Sequence, residues 1–138
     1  MRVLVIDDEP DVLMLCRVNL ELAGHEVVEA GSGEAGLELA RRERPDLVVL
    51  DVMLPARDGF QVLGDLSSER ELAHVPVILL TAKTQVEDRL AGWHAGCTEF
   101  MSKPFLPNEL VELVGRVHAM TSEERTEHRR RALARLGS

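Results

Sequence analysis

Leu47-Val48-Val49-Leu50 is an apolar run closed by a carboxylate, Asp51, and the arrangement recurs along the chain. Val3-Leu4-Val5-Ile6 ends in Asp7-Asp8, Val77-Ile78-Leu79-Leu80 ends in Thr81-Ala82, and a weaker run from Glu99 to Ser102 ends in Lys103-Pro104. Short apolar runs stopped by polar residues read as buried strands. Strands are expected near residues 2–6, 26–30, 46–50, 77–80 and 98–102, with helices over 10–23, 33–43, 59–69, 84–95 and 107–120. Parallel strands need crossover connections, so five strand–helix units predict an α/β protein whose doubly wound parallel sheet is covered by helices on both faces. In such a sheet, ligands bind outside the carboxyl ends of the strands.

Three carboxylates, a hydroxyl and an ammonium therefore converge on one rim. Carboxylates crowded together raise one another's pKa unless a cation sits among them. A small set of hard oxygen ligands, with room for water and phosphate, suits Mg²⁺. With a metal, a lysine and a hydroxyl around it, a remaining carboxylate can take a phosphoryl group as an acyl phosphate.

The strings Val-Ile-Asp7-Asp8-Glu9-Pro10, Asp51-Val-Met-Leu-Pro55, Asp58-Gly59, Leu80-Thr81-Ala82-Lys83 and Lys103-Pro104-Phe105 stand in this order at expected strand ends and turns. Together they resemble the receiver domain of a two-component response regulator, over Met1 to about Met120. The resemblance implies a flavodoxin-like fold with strand order 2-1-3-4-5. It implies that Asp51 accepts phosphoryl from a sensor histidine kinase or a phosphotransfer protein. Asp8 would bind Mg²⁺ directly and Asp7 largely through water, with Asp51 and the Met53 carbonyl completing the protein ligands. Thr81, the Ala82 backbone N–H and Lys103 would hold the phosphoryl oxygens, and the Lys103-Pro104 bond would be cis. Thr81 and Phe100 fall at the receiver switch positions. Tyr is usual at the second, but this chain has none, so the inward rotamer of Phe100 is expected to be favoured even at rest. Met53 and Lys83 occupy the positions that tune phosphoryl lifetime; neither is a natural water-positioning base, which implies a persistent phosphorylated state.

Two other classes remain to be weighed. A pseudo-receiver, acting as a phosphorylation-independent interaction module, would usually lack an acid, the Thr or the Lys, and none is missing here. A Mg²⁺-dependent phosphatase of doubly wound fold would carry a second acid two residues after its nucleophile, where this chain has Met53. The first strand is followed by no Gly-rich loop that would suggest nucleotide binding. The expectation is therefore a switch whose only chemistry is its own phosphotransfer and autodephosphorylation, not an enzyme with a separate substrate.

Of the 138 residues 45% are hydrophobic, enough for one core. No apolar window approaches membrane-spanning length, and the chain opens on a strand with no leader-like segment, so a cytoplasmic protein is expected. Cys16 and Cys97 have no metal-type spacing and read as small buried hydrophobes. Residues 1–120 hold 11 Lys and Arg against 21 Asp and Glu, while residues 121–138 hold five against three. An acidic body argues against direct nucleic-acid binding by the receiver region. Residues 121–138 read as a charged helical extension or linker, a marginal or frayed helix without a sustained apolar stripe. Arg129-Arg130-Arg131 there reads as a solvated helix face.

Local signals add detail. Pro10, Gly24, Ser32, Pro45 and Gly96 mark helix ends, and Thr84 to Glu87 reads as a capping box. Leu106 caps the fifth helix poorly. Val12, Leu15, Cys16, Leu20 and Ala23 form one stripe of the first helix, with Asn19 amid it needing a partner. Met14 and Val18 lie off that stripe and read first as scattered exposed apolar residues, the resemblance adding a kinase-docking contact beside this helix as the alternative. Val86, Leu90 and Trp93 read as core. Winged-helix regulators of the family it resembles pair their receivers through reciprocal ion pairs; this chain keeps Glu87-Asp88-Arg89, but Thr98-Glu99 and Leu113 depart from that pattern. A monomer or weak dimer is expected, with Leu113 as a candidate apolar contact, and the output partner is open.

Overall fold

The computed structural model describes residues 1–82 and 85–137. Five strands, β1 (Arg2–Ile6), β2 (Glu26–Ala30), β3 (Leu47–Asp51), β4 (Val77–Thr81) and β5 (Glu99–Ser102), pair in parallel in the order β2-β1-β3-β4-β5. Helices α1 (Pro10–Leu22), α2 (Gly33–Glu43), α3 (Gly59–Ser68), α4 (Val86–Ala95) and α5 (Pro107–Ala119) connect and follow them. Strand side chains alternate between faces. Leu4, Ile6, Val48, Leu50 and Leu79 therefore join the core under α2, α3 and α4. Val3, Val5, Leu47, Val49, Ile78 and Leu80 join the other, under α1 and α5. The order reverses between β1 and β3, which opens a crevice at their carboxyl ends.

Element ends follow the residue chemistry. Ser32 Oγ accepts from the Ala35 N–H at 3.2 Å, and Gly24 and Gly96 end their helices at φ 95° and 106°. Leu106 offers no side-chain acceptor, but Glu109 Oε1 accepts the Leu106 N–H at 3.0 Å, half of a capping box. The capping box expected before α4 begins at residue 84, outside the described residues; α4 itself starts at Val86.

Three readings of individual residues are corrected. Ala23 is exposed because α1 ends at Leu22, and Val86 is exposed because it opens α4 before the helix reaches the sheet. Leu113 is buried in the α1/α5 core, so it is no exposed contact for a second copy. Asn19 meets its need locally, donating to the Leu15 carbonyl at 2.8 Å.

The largest departure is at the C-terminus. Residues Ser122–Arg135 form a continuous helix, α6, with Thr121 and Glu124 in a full capping box. It is docked, not frayed. Arg125, His128, Arg129, Ala132, Leu133 and Leu136 recur at helical spacing on its covered side. Ala132 is buried, and Leu133 and Leu136 pack against the α2/α3/α4 core. The first half of this face is polar, so it carried no hydrophobic stripe.

Candidate functional site

Four of the five strands, β1, β3, β4 and β5, deliver groups to the crevice. Asp7 follows β1 and is fully buried, its N–H bonded to the Ala30 carbonyl at 3.1 Å. Asp8 is exposed beside it. Asp51 ends β3 at 2% exposure. One carboxylate oxygen from each of Asp7, Asp8 and Asp51 falls within 4.8 Å of the others. Thr81, buried, ends β4, and its carbonyl accepts the Lys103 N–H at 2.9 Å, which ties the lysine to the same rim. The Lys103-Pro104 peptide is cis.

Lys103 Nζ reaches Asp7 Oδ2 at 2.9 Å, Glu9 Oε1 at 3.1 Å and Asp51 Oδ1 at 3.4 Å. Asp51 Oδ1 also accepts the Met53 N–H at 3.2 Å, whereas the Met53 side chain projects into solvent. Burial, and next the Asp7 carboxylate, raise the Asp51 pKa above the ordinary carboxylate value; the Met53 N–H and Lys103 pull it partly back. Burial by itself would lower the Lys103 pKa. Its hydrogen bonds to Asp7 and Glu9, with the charges of Asp51 and Asp7, outweigh that and hold the ammonium above its usual range. The Cys16 thiol is pushed up to about 12, first by burial and then by Asp7, which leaves it inert.

Lys103 pairs with Asp7 and Asp51 while Asp8 adds a third carboxylate, so the cluster keeps a formal negative charge, and all its donors are hard oxygens. These residues fit a hard divalent ion.

The loop from β3 to α3 is pinned from behind. The Gly59 N–H donates to the Val52 carbonyl at 2.8 Å, and a Cβ on Gly59 would lie 2.3 Å from the Asp51 carbonyl oxygen. Only glycine allows this approach. Phe100, half-buried on β5, stands edge-on to Trp93 with centroids 5.7 Å apart, and the Arg89 guanidinium lies 5.5 Å above its ring. Asp7, Asp8, Asp51, Thr81 and Lys103 thus come together as their strand ends foretold, with Ala82 next to Thr81. Phe100 lies two residues before the Thr81 level, since it pairs with Leu79. Lys83 lies outside the described residues. Glu9 joins the site beyond the expected residues, through its contact with Lys103. Among the described residues no helix is long and apolar enough to cross a membrane.

A family model described as a response regulator receiver domain matches residues 3–115. The chain is 40% identical over 119 residues to the DNA-binding dual master transcriptional regulator RpaA of Synechocystis sp., covering 86% of this chain and 48% of that protein. It is 48% identical over 109 residues to the probable transcriptional regulatory protein TcrX of Mycobacterium tuberculosis, covering 79% and 46%. The chain thus spans about half the length of these relatives. Protein PilH of Pseudomonas aeruginosa is 35% identical, with 86% of this chain and 98% of that one covered. Among solved structures, the chemotaxis protein CheY4 of Vibrio cholerae superposes with a TM-score of 0.81 at 30% identity, over 84% of this chain and 97% of that one.

Proposed function

Because this chain belongs to the response regulator receiver family, we propose that Asp51 is its phosphoacceptor, charged by a sensor histidine kinase or a phosphotransfer protein. The family comprises phosphorylation-based signalling modules, not enzymes with separate substrates. The observation that carries the reading is the setting of Asp51, buried at the end of β3 between Asp7 and Lys103.

A carboxylate oxygen of Asp51 attacks the phosphorus of phosphohistidine. The P–O bond forms as the P–N bond breaks, and the electron pair returns to the imidazole, which takes up a proton. Asp8, Asp7, Asp51 and the Met53 carbonyl would hold Mg²⁺, which supplies charge neutralisation for the phosphoryl oxygens when bound. Thr81 and the Ala82 N–H donate to those oxygens, and Lys103 trades a carboxylate partner for one of them. Movement of Thr81 toward the phosphoryl group opens space that Phe100 turns to fill. Its half-buried seat on α4 leaves that motion available.

Water later attacks phosphorus, releasing phosphate and restoring the carboxylate. Met53 offers no proton acceptor to position that water, which favours a long-lived phosphorylated state. A phosphorylation-independent interaction module gains no support, since every acid, the hydroxyl and the ammonium are in place. The exposed Met14 and Val18 on α1 supply apolar contact for the phosphodonor. The setting of this exchange is the cytoplasm, and the output partner or domain is controlled by contact, with no nucleic acid bound by the acidic receiver body.

The test is chemical. Phosphoramidate, a small P–N donor, should shift the protein on a Phos-tag gel only with Mg²⁺, and hydroxylamine should reverse the shift, as it cleaves acyl phosphates. A shift that survives hydroxylamine would place the label on a different side chain.

A further inference from the structure

We propose that α6 is a docked sensor helix that reads the phosphorylation state of Asp51 through Trp93; this rests on the reading above. Trp93, the chain's single tryptophan, is buried on α4 between two rings. Phe100 meets it edge-on at 5.7 Å, and His128 of α6 meets it edge-on at 5.5 Å. One indole therefore braces both the switch aromatic and the extra helix.

The rest of the docking is specific but thin. His128 Nε2 lies 2.8 Å from Glu99 Oε2 at the start of β5. Arg129 donates to the Gly96 carbonyl at 3.3 Å and Arg125 to the His74 carbonyl at 2.8 Å. Ala132 is the only residue of α6 that is fully buried. A seat built from one buried alanine, the half-buried Leu133 and Leu136 and a few polar contacts is small enough to be switched.

Direction follows from register. Phe100 pairs with Leu79 and Ser102 with Thr81, so Thr81 lies two residues further toward the carboxyl edge. Trp93 lies at the opposite end, in the last turn of α4 before Gly96. A Phe100 ring that turns toward Thr81 moves away from Trp93, and the indole loses the support on which His128 rests. Charging Asp51 thus loosens α6 from α4 and β5. Linkage makes the effect reciprocal: undocking α6 favours the charged state by the same factor.

Hydrogen exchange of the whole chain, with and without Mg²⁺ and beryllofluoride as the phosphoryl mimic, tests this. Amides of residues 122–135 should exchange at least about fivefold faster when the mimic is bound, the low end of common coupling factors. His128→Ala, which removes the ring and the Glu99 contact, should bind the mimic more tightly by a similar factor. Ala132→Glu should undock α6 outright and do the same. If the mimic binds, protecting the β3–α3 loop, while α6 exchange is unchanged or slower, the coupling is refuted and the receiver reading stands. Unchanged affinity in His128→Ala with a folded circular-dichroism spectrum refutes it equally. If the mimic does not bind at all, the receiver reading fails and this proposal falls with it.

Discussion

Asp51 is held in a state that is costly until something neutralises it. Burial and Asp7 raise its folded pKa above the ordinary carboxylate value. A raised carboxylate pKa means that the folded chain holds the proton more tightly than the unfolded chain. Its contribution is therefore most favourable below the unfolded pKa and is lost as pH rises through the folded one. Asp51→Asn should raise Tm at about pH 7, and the gain should shrink toward zero as pH falls below the carboxylate range. Calorimetry at several pH values would check this; an Asn variant less stable at neutral pH would mean that the Lys103 contact dominates instead. Asp7, Asp51, Thr81 and Lys103 were legible because each ends an apolar run, and run ends share an edge of a parallel sheet. Glu9 was not. Its ion pair with Lys103 spans 94 positions and is made by a flexible side chain, which local pattern does not encode. The seat of Phe100 was hidden for a similar reason, since it depends on what α4 places against the ring.

Two glycines inside helices look alike in sequence and differ in the fold. A Cβ on Gly64 of α3 meets nothing within 4 Å, so Gly64→Ala should stabilise the protein by about 1 kcal/mol, a few degrees of Tm. A Cβ on Gly92 of α4 would lie 2.3 Å from the tip of the Phe100 ring, so Gly92→Ala should displace that ring and cost about 1–3 kcal/mol. Thermal melts of the two variants should move in opposite directions; a stabilising Gly92→Ala would show that Phe100 does not need its seat. Nearly all element positions were readable from the alternation of short apolar runs and capped helices, with ends shifted by a residue or so, whereas the strand order followed from the family resemblance. The docked face of α6 was not, because it is written half in Arg and His and half in Ala and Leu. A hydrophobic stripe is only one way to bury a helix. Side chains that bond to backbone carbonyls at Gly96 and His74 are another.

At the scale of the molecule, the groups that could pair two receivers are engaged within one chain. Arg89 lies over Phe100, Glu99 meets His128, and Leu113 is core. A symmetric interface loses each such contact twice. Without beryllofluoride the protein should therefore run as a monomer in light scattering; a tight resting dimer that Arg89→Glu disrupts would show that an ion-pair interface between receivers survives. Everything else depends on the rim where β1, β3, β4 and β5 deliver their polar groups. Intact-protein mass spectrometry after incubation with acetyl phosphate reads that rim most directly. With Mg²⁺ the chain should gain the mass of one phosphoryl group, and chelation or Asp51→Asn should abolish the gain. An Asp51→Asn protein that still labels fully would contradict the account.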